Sequence, residues 1–198
     1  MNKIPIIILA AGPSSRLGKP KQLLPFDNTT LLEHIISQAT DVSSAVVVVL
    51  GANQNVIHEK IKNAPVRFVF NNDWEDGMSS SIHCGLTELL KTDSPDAIII
   101  MVSDQPFVTG HLLREMIDKY KQTNKPIVAC SYERTLGVPV LFDKKFFGLL
   151  LEMDGQTGAK KIINDNLNLT ESVYFHMGQI DIDTLADYEA FKKIQLSK

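Results

Sequence analysis

Three groups of residues in this chain carry chemistry by type and spacing. The first runs Leu9-Ala10-Ala11-Gly12-Pro13-Ser14-Ser15-Arg16-Leu17-Gly18-Lys19-Pro20-Lys21 and combines glycines, two hydroxyls and three cations. Such a loop can offer backbone N–H groups, side-chain donors and positive charge together, which is what a triphosphate requires. No Asp or Glu precedes Asp27, and Lys3 adds to the cationic amino end, although the whole chain has a net charge of −3. A solvated basic loop without a ligand is the alternative use of this composition. The better-known phosphate loops differ in spacing. Five residues separate Gly12 from Gly18 and Pro20 follows Lys19, whereas Walker A needs four and then Ser or Thr. Pro13 and Ser14 stand where a dinucleotide fingerprint needs its second glycine, and Arg16 replaces the last glycine of a nucleophile elbow.

The second group is acidic. Asp104, in Ser103-Asp104-Gln105-Pro106, follows the apolar run Ala97 to Val102 and belongs at the carboxyl end of a strand. Asp181 and Asp183 lie two apart in Gln179-Ile180-Asp181-Ile182-Asp183, whose alternation predicts a short strand with both carboxylates on one face. A carboxylate from each segment could hold Mg2+, which takes one or two protein carboxylates and fills its shell with water and substrate phosphates. An Asp before Pro106 can also serve a turn alone. The third group, Asn71-Asn72-Asp73-Trp74-Glu75-Asp76-Gly77-Met78-Ser79-Ser80-Ser81, leads from a strand into a helix. Its serines can cap that helix or present N–H groups to a nucleotide. Trp74, the sole tryptophan, could anchor the loop or stack on a ligand.

These groups need a scaffold that brings them together. Nearly continuous β-branched runs at Ile4 to Ala10, Ala45 to Leu50, Val66 to Phe70, Ala97 to Val102 and Ile127 to Cys130 predict strands buried on both faces. Helical patterns with start signals lie between them: a capping box at Thr30-Leu31-Leu32-Glu33, Asn53 before Val56 to Lys62, and Thr109 before Leu112 to Tyr120. This alternation predicts an α/β class: one domain over 1–198 with a mostly parallel, doubly wound Rossmann-like sheet and helices on both faces. After Ser131 the rhythm changes. Gly137-Val138-Pro139-Val140-Leu141-Phe142 reads as a short strand entered through a Gly/Pro turn, within a small insertion that covers the sheet edge. Thr184-Leu185-Ala186-Asp187 is a second capping box, opening the last helix. In open α/β sheets ligands sit beyond the carboxyl ends of the strands, where all three groups fall.

The opening Leu9-Ala10-Ala11-Gly12-x-Ser14-x-Arg16-Leu17-Gly18-x-x-Lys21, continuing Gln22-Leu23-Leu24-Pro25, resembles the signature of the nucleotidyltransferase family that includes the molybdenum cofactor guanylyl- and cytidylyltransferases. Gly77 to Ser81, Asp104-Gln105-Pro106, Gly137 to Phe142 and Asp181 to Thr184 fit its cytidylyltransferase-like branch in order, so the resemblance covers nearly the whole chain. It implies a nucleoside triphosphate with its base near Leu9, Ala10, Ala11 and Gly12, its phosphates on Ser14, Ser15, Arg16 and Lys21, and further contacts at Gly77, Ser79 and Ser80. It also implies a metal at Asp104 with Asp183, or with Asp181 as the alternate. The Ala10-Ala11 pair looks like the cytidine-using members, so CTP is expected over GTP; a difference of one methyl is worth about 1–3 kcal/mol. Two departures bear on the acceptor: Val138 stands where the family often has His, and Gln156 replaces Asp in Gly155-Gln156-Thr157-Gly158-Ala159.

The implied reaction is attack of a phosphate monoester, such as that of molybdopterin, on the α-phosphorus of the triphosphate, with loss of pyrophosphate. Arg16, Lys21 and Asp104 would carry it with Mg2+, and a molybdoenzyme would receive the product. The same residues fit a sugar- or polyol-phosphate nucleotidyltransferase, and a nucleotide-binding accessory protein that does not turn over. Net charge argues against nucleic acid and anionic membrane as partners, and no run approaches the roughly 20 apolar residues of a membrane span. Cys84 and Cys130 form no Cys-x-x-Cys pattern and are expected to be small apolar residues of a reduced, cytoplasmic protein. The histidines lack any shared ligand spacing and are expected to be structural or exposed.

Overall fold

Ile and Val runs without a polar break must bury both faces, and only a sheet interior offers that. The computed structural model describes residues 4–155 and 158–196; Lys3, Gln156 and Thr157, singled out above, lie outside them. In chain order the strands are β1 (Ile6–Ala10), the short hairpin arms β2 (Pro25–Phe26) and β3 (Thr29–Thr30), β4 (Val46–Leu50), β5 (Arg67–Phe70), β6 (Ala97–Val102), β7 (Ile127–Tyr132), β8 (Thr135–Asp143) and β9 (Thr170–Tyr174). The helices are α1 (Leu31–Thr40), α2 (Gln54–Ile61), α3 (Met78–Thr92), α4 (Gly110–Thr123), α5 (Phe147–Leu151), α6 (Ala159–Asp165) and α7 (Leu185–Leu196). Every residue of β1 and β4 is buried, as their composition requires.

The main sheet has seven strands in the order β5-β4-β1-β6-β8-β7-β9. All neighbours pair in parallel except β8, which is antiparallel to β6 and to β7. The α/β class and the doubly wound sheet agree with the sequence. Its later half needs correction. Residues 135–143 do not cover an edge; they form β8 inside the sheet, because Leu141 and Phe142 are apolar toward both layers and are fully buried. No turn enters the strand at Pro139. The β7 ladder passes from Val140 to Gly137, skipping Val138 and Pro139, and a proline has no N–H to give it.

One face of the sheet packs α1, α2, α4 and α7; the other packs α3, α5 and α6. Gly85 lets α3 approach closely, since a Cβ there would lie 2.7 Å from Ile7 and 2.8 Å from Val49. Thr30 and Glu33 form the expected capping box of α1, and Thr109 caps α4 through the Leu112 N–H. Thr184 and Asp187 exchange the same reciprocal bonds at the start of α7. Asn53 precedes α2 but is left-handed, with φ of 58°, and its side chain caps nothing. The serines do not cap α3 either: the capping position is Gly77, with φ of 108°. No helix among the described residues is long and apolar enough to cross a membrane.

Candidate active site

The stretch after β1 turns at once. Ser14 is left-handed at φ 55° and accepts bonds on its carbonyl from the Leu17 and Gly18 N–H groups. Its Oγ then accepts the Lys21 N–H at 3.0 Å, which brings the chain back and sends the Lys21 side chain inward. Gln22 lies beneath, wholly buried, and its Nε2 donates to the carbonyls of Ala10, at 2.8 Å, and Gly12, at 3.3 Å. One side chain thus ties the start of the loop to its end.

Acidic residues from two distant segments meet this loop. Lys21 Nζ donates to Asp104 Oδ2 at 2.6 Å and to Asp183 Oδ1 at 2.8 Å; Arg16 donates to Asp183 Oδ2 at 2.8 Å. Asp104 sits beyond the carboxyl end of β6, as the sequence predicts. Asp183 does not lie in a strand. Residues 179–183 form an irregular segment across that edge, held by the Ile182 N–H on the Asp104 carbonyl at 3.0 Å. The alternation there is real, since Ile182 is fully buried, but its backbone is spent on the site and not on a ladder.

The electrostatics follow the contacts. Burial works against the Lys21 ammonium, yet the charges and hydrogen bonds of Asp104 and then Asp183 outweigh it and hold its pKa above that of a free lysine. The Lys21 hydrogen bond in turn holds the Asp183 carboxyl below the usual range, with help from Arg16. Surrounding protein and the nearby charge of Asp104 push the Asp181 carboxyl up to about 6.

Beside this cluster lies a cleft of about 420 Å³, lined by residues of the three groups: Leu9, Ala11 and Gly12, then Trp74, Gly77 and Ser81, then Lys21 and Asp104. A volume of that order suits a nucleotide-sized ligand. Of the other expected contacts, Ala10 turns into the core at 1% exposure and its carbonyl is taken by Gln22. Ser15 stands exposed at the turn. Ser79 is buried and donates to the Gly155 carbonyl at 2.6 Å, and Ser80 Oγ donates to the Asp73 and Gly77 carbonyls.

Trp74 lines the cleft, and its Cβ packs over Gly51, where an added Cβ would lie only 2.7 Å from it. Met78 lines the cleft and Gln22 braces its loop, roles the sequence did not assign to them. Gln22 was within reach, as a polar side chain between Lys21 and an apolar run. Cys84 and Cys130 are free thiols, and Cys130 is buried, matching the structural role expected of it. His34 stacks on Phe26 with centroids 3.8 Å apart, also a structural use.

A doubly wound sheet that gathers a glycine loop, two cations and two carboxylates beside a nucleotide-sized cleft has the makings of a nucleotide-phosphate enzyme. Over residues 6–171 the sequence matches the MobA-like NTP transferase domain; the chain belongs to that family and is a nucleotidyltransferase. It is 23% identical over 194 residues to the molybdenum cofactor cytidylyltransferase of Escherichia coli K12, covering 98% of this chain and 97% of that protein. It is 27% identical over 177 residues to the bifunctional protein GlmU of Ruthia magnifica, covering 86% of this chain and 36% of the relative, so the chain spans about a third of that protein's length. Among solved structures, a homologue of Rv0371c from Mycobacterium sp. strain JC1 superposes with a TM-score of 0.83 at 27% identity, covering 98% of both chains. Rv0371c of Mycobacterium tuberculosis H37Rv, solved as a complex with manganese, gives 0.78 at 26% identity, covering 96% of this chain and 98% of that one.

Proposed function

We propose that the chain transfers CMP from CTP to the phosphate monoester of molybdopterin carrying molybdenum, releasing pyrophosphate in a Mg2+-dependent reaction. The observation that carries this reading is the meeting of Lys21, Asp104 and Asp183 at the edge of the Gly12 cleft. The acid pair fits a metal on its own contacts, because both carboxylates already reach a single positive charge at 2.6 and 2.8 Å. An ion here would be held by two carboxylates and completed by water and phosphate. Asp104 and Asp183 would be those ligands, with Asp181 close by. A divalent ion bound there would neutralise charge on the phosphates being transferred.

The chain's own contribution is positioning. Arg16 and Lys21 would leave the aspartates for the phosphate oxygens of the triphosphate, placing cations where pyrophosphate charge develops. Leu9, Ala11, Gly12 and Trp74 would hold the base end in the cleft. Ala11, a lining residue of the cleft, supports a pyrimidine, since alanine leaves less room there than glycine would. An acceptor phosphate monoester, with a second pKa near 6, is mostly dianionic at neutral pH and needs no general base. The likeness to the cytidylyltransferase over nearly the full chain supports both CTP and the molybdenum cofactor as acceptor. The product would then pass to a molybdoenzyme.

The test is pyrophosphate release with CTP against GTP, in the presence of molybdenum-bearing molybdopterin, sugar phosphates or polyol phosphates, with and without Mg2+. Release with CTP and the molybdenum cofactor is expected. Release with a sugar or polyol phosphate alone would move the substrate and keep the chemistry. Nucleotide-dependent stabilisation without release for any acceptor would make the chain a binder instead.

A further inference from the structure

The carboxyl edge of the sheet continues past Asp104, away from Gly12, and there it holds groups that the reaction above leaves unused. β8 is antiparallel to both β6 and β7, so β7 runs parallel to β6 and ends, at Tyr132, on the same edge as Asp104. The seat of the Tyr132 ring is built. A Cβ on Gly137 would collide with its hydroxyl, and one on Gly178 would collide with the ring carbons. Phe175 closes the seat edge-on, with centroids 6.3 Å apart. Gln105, Asp181 and Asp104 are near enough to act on the phenol.

Gln105 is the second independent sign. At 2% exposure its Nε2 is fixed on the Gly178 carbonyl at 2.9 Å, while its Oε1 has no hydrogen-bond partner. Its hold on Gly178 ties the Asp104 segment to the wall of the Tyr132 seat, so the phenol is fixed relative to the carboxylate.

Transfer to the α-phosphorus needs the entering oxygen and the leaving pyrophosphate roughly in line on opposite sides. The loop that would hold the pyrophosphate side lies over β1, on one side of Asp104; Tyr132 lies on the other. We infer that Tyr132 is an acceptor-binding residue, its phenolic O–H donating to an oxygen of the incoming phosphate monoester. This rests on the nucleotidyl-transfer reading of the same site. Asp104 and Asp181 make the local field negative, so a dianionic acceptor requires donors fixed in advance, and a phenol held between two glycines is one. Burial, with the nearby charge of Asp181, holds its pKa above that of a free tyrosine, so the proton stays in place at neutral pH.

The experiment compares wild type with Tyr132→Phe in the full chain, reading acceptor KM and kcat by pyrophosphate release, CTP affinity by calorimetry with Mg2+, and melting temperature. Tyr132→Phe should raise the acceptor KM about tenfold or more, the loss of one hydrogen bond to a charged group, while CTP affinity stays within twofold and the melting temperature holds. An unchanged acceptor KM, or a CTP affinity that falls in step, overturns the inference. A second readout needs no turnover: of the four tyrosines, labelled with fluorotyrosine, the resonance missing from Tyr132→Phe should move when the acceptor is titrated onto the CTP-bound protein. Turnover by wild type with a stationary Tyr132 resonance refutes this inference alone. No turnover and no shift with the molybdenum cofactor, sugar phosphates or polyol phosphates refutes it together with the reading it rests on.

Discussion

Removing the Lys21 charge should make the free protein a better metal binder and a worse nucleotide binder. Its ammonium bridges Asp104 at 2.6 Å and Asp183 at 2.8 Å, with side chains 12%, 20% and 36% exposed for Lys21, Asp104 and Asp183. Two unit charges about 4 Å apart interact by about 4 kcal/mol at an effective dielectric near 20. Desolvation of the pair and the exposure of Asp183 reduce this, leaving about 1–3 kcal/mol for each charged contact. Lys21→Met keeps the length of the chain and removes its charge, so it should cost about 2–4 kcal/mol of stability by stranding Asp104 and loosening Asp183. A divalent cation that no longer has to displace the ammonium should bind at least about tenfold more tightly, the equivalent of about 1.4 kcal/mol. The assay is Mn2+ titration by electron paramagnetic resonance, without nucleotide, on wild type, Lys21→Met and Lys21→Arg. Lys21→Met should tighten Mn2+ while Lys21→Arg, which keeps the cation, should not. With CTP as the titrant the order should reverse, Lys21→Met weakening CTP about tenfold or more by loss of a charged phosphate contact. If Mn2+ binds Lys21→Met no better than wild type, Asp104 and Asp183 are not the metal ligands and the reasoning fails.

Three further outcomes follow from particular contacts. Asp104→Asn should abolish pyrophosphate release with the circular dichroism spectrum unchanged, because the carboxylate lies beyond the end of β6 and supports no strand; retained release would remove Asp104 from the chemistry. Ala11→Gly should move the ratio of kcat/KM for CTP over GTP toward GTP by up to about tenfold, the scale of one methyl in a pocket, and an unmoved ratio would place base selection elsewhere. Gln22→Leu removes the donor shared by the Ala10 and Gly12 carbonyls, so urea unfolding should show a loss of about 1–3 kcal/mol and CTP binding should weaken with it; full stability with intact CTP affinity would show that Gln22 does not hold the loop.

What could be read from the sequence was what is decided nearby. The five apolar runs became strands at or within two residues of their expected limits, and the capping boxes at Thr30 and Thr184 formed, since each depends on residues no more than a turn away. β9 escaped notice. Thr170-Glu171-Ser172-Val173-Tyr174 is an edge strand with only Val173 buried, and such strands carry polar residues that blur the pattern. Residues 179–183 misled in the opposite direction: one buried isoleucine among aspartates imitates a strand, while the Ile182 N–H that decides its course donates to the carbonyl of Asp104, far earlier in the chain.

The candidate site divides along the same line. The loop from Gly12 to Lys21 announced itself by composition, and the meeting of its cations with Asp104 and Asp183 was foreseen. That Lys21 itself spans the two carboxylates was not, because the contacts join residues separated by 83 and 162 positions. Ser79 shows how fine this limit is. Its type and place suit a nucleotide contact, yet the Gly155 carbonyl, 76 positions away, takes its hydroxyl. Placing cations and carboxylates on separate segments has a physical consequence: with no ligand between them, each set satisfies the other. The free chain therefore holds these charges paired, and in the proposed reaction the metal with its triphosphate would part them together, since either one alone would leave one set of charges without partners. Binding of the two ligands is thereby coupled in free energy, each tightening the other by the same factor.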